Sequence, residues 1–289
     1  MKRLSKLIIV CFMAAVMMLP VSCKQDDITP VFIHKGVLPG LFSVSATQQV
    51  YFSQGNLQYQ ASTNTWRFAE HQYDYVGTQT DNGLGDYGGN VIGSDNSNIS
   101  STYNGWIDLF GWGTGSNPTL SSTRFENYGT FVDWGCNAII NGGNTANRWR
   151  TLTHAEWDYL LNTRTDALSK CGTGNINGVG GLIILPDSWT LPSECSFTSG
   201  FTTYDGNNDL DWTHNSYTLA QWSQMEAAGA VFLPAAGGRN GTNVYHVGRY
   251  GFYWSSAPGG GFMYFGSYYL IASLENRIIG FSVRPVLDN

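Results

Sequence analysis

Between Gly237 and Leu270 the chain reads GGRNGTNVYHVGRYGFYWSSAPGGGFMYFGSYYL, with ten aromatic residues, two arginines, many glycines and no acid. A strand buried on one face alternates apolar with polar residues, and its polar side usually carries Lys or Glu. Here the polar half is Tyr, Ser, Asn and Arg instead. Two arrangements accommodate this pattern. One is a β-rich core joined by Gly turns; the other is a surface of rigid amphipathic rings facing a partner, the chemistry of antibody combining sites.

The chain opens MKRLSKLIIVCFMAAVMMLPVSCKQDD. Lys2, Arg3 and Lys6 precede an apolar run, Leu7 to Leu19, that is short for a membrane-spanning helix and reads as a signal peptide over residues 1–22. Ser22 directly before Cys23 is the order expected where a lipoprotein signal peptidase cuts and the cysteine takes the lipid, although Pro20 stands where Leu is usual. The expected product is anchored to the outer membrane through Cys23 and displayed at the cell surface. Residues 23–36, with Gln25, Asp26 and Asp27 in front, Pro30 within and Pro39 just beyond, read as a tether. Loss of residues 1–22 removes three positive charges and no acid, moving the formal charge from −6 to −9. That balance argues against a nucleic-acid partner, because phosphate binding needs surplus Lys and Arg. Membrane contact is expected through the lipid alone.

Residues 37–289 carry no charge-rich or Pro-rich break and no fixed-period repeat, so a single domain is expected. LFSVSATQQVYFSQGNLQYQ and TWRFAEHQYDYVG alternate like strands, with turns at Gly55-Asn56 and Ser62-Thr63-Asn64. Residues 78–101 read as a long polar surface loop. Two helices announce their own starts. In TLTHAEWDYLLNTR, Thr153 and Glu156 form a capping box before Trp157, Leu160 and Leu161; in YTLAQWSQMEAAG, Thr218 and Gln221 repeat it before Trp222 and Met225, with Gly229 as the stop. Strands follow at Gly181 to Pro186 and Ala230 to Gly237. The fold class read from this order is α+β.

The blocks WRTLTHAEWDYLL, GLIILPDSW, AVFLPAAGGRNG, YWSS and GFSVRPV follow one another in this sequence. In that order they resemble C-type-lectin-like domains of the formylglycine-generating-enzyme (sulfatase-modifying) type, akin to the Fibrobacter succinogenes major paralogous domain. They are also similar to the variable proteins of diversity-generating retroelements, in the setting of a Bacteroides-type surface lipoprotein. The resemblance spans roughly residues 40–289 and implies a C-type-lectin-like fold with two main helices, several short antiparallel strands and long loops. Formylglycine-generating enzymes use a cysteine pair late in the domain; this chain has no cysteine after Cys195, so the resemblance implies binding without catalysis.

In the variable proteins the corresponding C-terminal section, here about 237–280, displays changeable side chains on a fixed scaffold. By that resemblance the ligand-binding residues are expected to be Arg239, Asn243, Tyr245, His246, Arg249, Tyr250, Phe252, Phe262, Tyr264 and Tyr268, set among structural Gly241, Gly248, Gly251 and Trp254. Phe262 and Tyr264, and again Tyr268 and Leu270, are two apart, and all four are expected on one strand face. The expected ligand is a protein or a glycan. A carbohydrate-binding adhesin or a fimbrial tip subunit is the alternative, and neither the Glu-Pro-Asn nor the Trp-Asn-Asp motif of calcium-dependent lectins occurs.

Other chemistry is thinly represented. Asp205, Asn207 and Asp209 alternate like the start of a calcium loop, but Leu210 and Ser216 stand where an EF-hand needs Gly and Glu. A looser calcium site stays open, and no other cofactor or metal is expected. Cys136, Cys171 and Cys195 permit at most one internal disulfide. No histidine has the spacing of a catalytic triad, and Glu156 is accounted for as a cap.

Overall fold

The computed structural model describes residues 35–77, 95–203, 210–274 and 277–289. The expected signal peptide, Cys23, most of the tether, Asp205, Asn207 and Asp209 lie outside them. In chain order the strands and helices are β1 (Val37–Ser43), β2 (Gln49–Ser53), β3 (Leu57–Gln60), β4 (Thr65–Phe68), β5 (Phe110–Gly111), α1 (His154–Asp158), β6 (Cys171–Ile176), β7 (Val179–Ile184) and β8 (Ser216–Tyr217). There follow α2 (Leu219–Ala227), β9 (Val231–Pro234), β10 (Gly238–Asn240), β11 (Asn243–Tyr245), β12 (Gly251–Trp254), β13 (Gly261–Gly266), β14 (Tyr269–Leu274), β15 (Ile279–Phe281) and β16 (Val286–Asp288). The architecture is thus mixed α+β, dominated by short, mainly antiparallel strands with two short helices.

Five small sheets form, in the orders β1-β2-β16, β3-β4, β8-β6-β7-β9, β11-β10-β15-β5 and β12-β13-β14. The first joins the two ends of the domain: Phe52 pairs with Val286 and Val50 with Asp288. The expected turn at Ser62-Thr63-Asn64 closes the β3-β4 hairpin, with Asn64 in the left-handed region at φ 50°, whereas Gly55-Asn56 carries the chain from one sheet to another, since β2 pairs with β1 and β16 and not with β3. The polar stretch 78–101 departs from expectation at its described end. Asn96 is buried, donates to Val76 O and to Asp108 Oδ1, and accepts from the Asp108 and Leu109 amides. A side chain that ties a loop to the strand after it is not a surface residue.

Both capping boxes are in place. Thr153 accepts from the Glu156 amide while Glu156 accepts from the Thr153 amide, and Thr218 and Gln221 do the same for α2. Glu156 also takes a two-pronged contact from Arg150, whose guanidinium reaches Asp288 on β16. Trp157, Leu160 and Leu161, and on α2 Trp222 and Met225, are buried as their spacing requires. Replacing Thr218 with alanine orphans the Gln221 amide and is expected to cost about 1 kcal/mol in a urea melt.

The first helix is shorter than its apolar pattern. After Asp158 the backbone widens into a π turn, Tyr159–Thr163, closed by the Arg164 amide donating to Tyr159 O. The reason lies in Arg164, which folds back, donates through Nε to Leu160 O and Nη2 to Leu185 O, and pairs with Asp187 at 3.0 Å. Asp187 is partly buried, which alone would raise its pKa. Hydrogen bonds from Ser43, Gln49 and Arg164, with the Arg164 charge, outweigh burial and hold the carboxyl below its ordinary value. A carboxylate depressed in the folded state stabilises above the unfolded pKa and loses that contribution as pH falls through the folded one. Stability is therefore expected to drop below about pH 4, and Asp187→Asn should flatten that acid limb in a plot of Tm against pH.

The core also encloses two arginines. Arg284 is fully buried and donates to Asn56 Oδ1, Ser53 O, Gln72 O and Phe232 O. Gln72, itself buried, bridges Ala230 O and the Phe232 amide, so four separate parts of the chain meet at one guanidinium. The three cysteines in the described residues are free thiols. Burial pushes Cys171 up to about 11, and burial with neighbouring Asp133 and Glu194 raises Cys136 and Cys195, so none is poised as a thiolate at neutral pH.

Candidate ligand-binding face

The aromatic run folds mainly into β12, β13 and β14, whose register is continuous: Phe252 lies opposite Tyr264, which lies opposite Ile271, and Gly266 opposite Tyr269. Because successive side chains point to opposite faces, one side of these strands fills a core while the other carries rings that are only partly covered. Tyr253, Met263 and Phe265 face inward, fully buried in one cluster with Trp157. The Tyr253 hydroxyl donates to Pro234 O. Gly251 is required here, since a Cβ would overlap the Phe265 ring.

On the opposite side Phe252 stacks on Phe281 with ring centres 4.8 Å apart and on Tyr264 at 5.8 Å. Tyr264 continues to Tyr269 at 5.4 Å, and Tyr269 to Tyr250 at 5.9 Å. The hairpin of β10 and β11 brings Tyr245 within 6.3 Å of Phe252. Tyr245, Tyr250, Phe252, Tyr264 and Tyr269 are all half-buried, and Ile271 beside them is 45% exposed. The result is a continuous sheet of ring edges and hydroxyls. Burial, followed by crowding from Tyr250, Tyr264 and Tyr268, raises the Tyr269 pKa, so this phenol stays neutral well above physiological pH.

Of the ten residues singled out by sequence, Asn243 is exposed, and Tyr245, Arg249, Tyr250, Phe252, Tyr264 and Tyr268 are half-buried around this face. Arg249 lies over the Tyr250 ring at 5.4 Å. Three are corrected. Arg239 is wholly buried: it donates to Leu109 O and Gly241 O and locks β10 against the end of the 95–109 segment, with burial lowering its pKa to about 10. Phe262 is buried between Trp254 and Phe281, a core ring whose edge only supports Tyr264. His246 is buried at φ 58°, its ring 4.8 Å from Tyr250, and acts as a brace beneath the tyrosines.

The expected row Phe262, Tyr264, Tyr268 and Leu270 is also corrected. The turn at Ser267 and Tyr268 reverses the chain, so that Leu270 packs against the inner cluster while Tyr269 and Ile271 take the outer face. Tyr269 and Ile271 were therefore missed, and the signal for them was the short turn after Gly266, which resets the alternation. Trp157, Trp222 and Trp254 are buried as expected of structural residues.

Clefts of about 350 Å³, lined by Trp112, Asn117, Glu126 and Tyr128 among others, and about 300 Å³, lined by Tyr73, Asp74, Asn177 and Leu219 among others, include none of these five rings in their lining. Among the described residues no group of three or more His, Cys, Asp or Glu is arranged to hold a metal ion, and no helix is long and apolar enough to cross a membrane. No protein-family model, curated protein or solved structure matches this chain.

Proposed function

We propose that this protein is a non-enzymatic, lipid-anchored ligand-binding protein of the cell surface, built on a C-type-lectin-like domain, whose recognition face is the outer side of β12, β13 and β14. The reading is supported above all by one observation: five half-buried aromatic rings form a contiguous, uncharged platform while the same three strands send Tyr253, Met263 and Phe265 into a buried core behind it. Rings held this way offer contact area at little entropic cost, and their hydroxyls supply directional bonds. A broad platform suits a macromolecular surface, a protein or a glycan chain, better than a small metabolite, which is usually enclosed in a cleft. Asn243, Arg249 and Tyr268 supply polar and charged groups at its margin. Relation to retroelement-diversified proteins fits the same geometry, since outer-face side chains can change without touching Tyr253, Met263 or Phe265.

The test pairs the intact protein with a Tyr250→Ser, Tyr264→Ser double variant on a glycan array and on immobilised extracellular proteins. Ligands captured by the parent should be lost by at least tenfold in the variant, which corresponds to about 1.4 kcal/mol or more. Capture that survives the double substitution in a folded variant places the recognition face elsewhere. Tyr250→Ala alone is expected to lower stability by no more than about 1 kcal/mol. Phe252→Ala will cost more, because that ring also stacks on Phe281, so Phe252 is a poor reporter of binding alone.

A further inference from the structure

The sheet that carries the platform is closed on one side and open on the other. At β12 the backbone continues into the next segment: the Trp254 amide donates to Ser282 O and the Ser282 amide to Phe252 O. At β14 the pairing with β13 uses Tyr269, Ile271 and Ser273, since Gly266 and Tyr269 close the hairpin as a hydrogen-bonded pair and the pattern alternates from there. The amides and carbonyls of Leu270 and Ala272 therefore point away from β13. Among the described residues no backbone hydrogen bond reaches them.

Edge strands of soluble proteins are normally blunted by shortness, bulges, proline or charge. Most of the other edges follow that practice. β1 carries Pro39 and a register shift, β9 ends in Pro234, β5 and β8 have two residues each, and β11 and β16 have three. By contrast β14 is six residues long, YLIASL, with unbroken register, no charge and no proline. Its outward-facing Ile271 is 45% exposed. Among the described residues this is a strand built to pair and left without a backbone partner on its outer edge.

We propose that β14 is a dimerisation edge, which pairs antiparallel with β14 of a second copy across a two-fold axis at Ile271. An antiparallel match of a strand with itself is isologous, so a single patch satisfies both sides. With Ile271 opposite its own copy, Leu270 of each chain exchanges both backbone hydrogen bonds with Ala272 of the other. The two exposed isoleucines then cover one another as a close, non-hydrogen-bonded pair. Uncharged β14 does not repel its copy. The axis runs perpendicular to the sheet, so both aromatic platforms lie on the same side of one six-stranded sheet, doubling the proposed recognition face without altering it.

Sedimentation of the purified protein and cysteine cross-linking test this directly. The parent is expected to sediment as a dimer, and Ile271→Cys to give a covalent dimer on mild oxidation, because paired Cα atoms of a non-hydrogen-bonded pair lie within disulfide reach. Ala272→Pro removes an amide that β13 does not use, and Ile271→Lys places like charges at the axis. Each should halve the sedimenting mass with the fold intact by circular dichroism. A monomeric parent, a dimer that persists in both variants, or cross-linking at Ser273→Cys in preference to Ile271→Cys would overturn the proposal. Loss of the dimer with ligand capture retained leaves the aromatic reading standing, so the two fail separately.

Discussion

Replacing Arg284 with alanine should destabilise the protein by about 4–5 kcal/mol, the largest effect expected of any single substitution here. The guanidinium is fully buried and holds three main-chain carbonyls, of Ser53, Gln72 and Phe232, together with the Asn56 side chain. Alanine strips all four acceptors of their donor and leaves a cavity that polar groups line. Burial lowers the Arg284 pKa to about 10, so the group is still charged at neutral pH and its hydrogen bonds are charge-assisted. Arg284→Lys keeps the charge but presents a single nitrogen to acceptors spread around a planar fork, and should recover only part of the loss. Urea titration monitored by tryptophan fluorescence measures both. A shift in free energy below about 1 kcal/mol for the alanine variant would show that the carbonyls find other donors.

Trp254→Ala is expected to cost about 3–5 kcal/mol. Its indole is buried, donates through Nε1 to Phe110 O, and packs 4.6 Å from Phe281 and 6.2 Å from Phe262. Those two rings are the floor on which Phe252 and Tyr264 rest. Truncation should therefore appear twice: as a lower unfolding free energy, and as looser tyrosines on the outer face, visible as increased hydroxyl-radical labelling of Tyr264. Comparison with Tyr250→Ala separates floor from surface, since that variant should change labelling nearby with little change in stability.

The parts of this fold that sequence exposes are those set by local chemistry. Thr153 with Glu156 and Thr218 with Gln221 name two helix starts because a cap depends only on residues three apart, and Gly229 stops α2 at φ 99° for an equally local reason. Period-two alternation likewise locates β2, β3, β4 and the end of β1. What depends on distant partners was illegible. Nothing near Arg164 in sequence predicts Leu185 and Asp187 as its partners, yet those contacts convert the end of α1 into a π turn. The candidate face shows the same division. Tyr245, Tyr250, Tyr264 and Tyr268 were expected to be displayed and are half-buried, whereas Arg239, charged and next to Gly238, looks like a surface residue until Leu109, far back in the chain, meets it. Leu270 and Tyr269 exchanged roles because one turn shifts parity, and parity decides face.

Pairing of β2 with β16 has a kinetic meaning. Residues that leave the ribosome first wait for nearly the last ones before their sheet is complete, and Ser53 and Asn56 wait equally for Arg284. Contacts of such sequence separation are slow to form, so the sheet that joins β2 to β16 and the cage around Arg284 are expected to be completed late in folding, after hairpins such as β3-β4 and β13-β14.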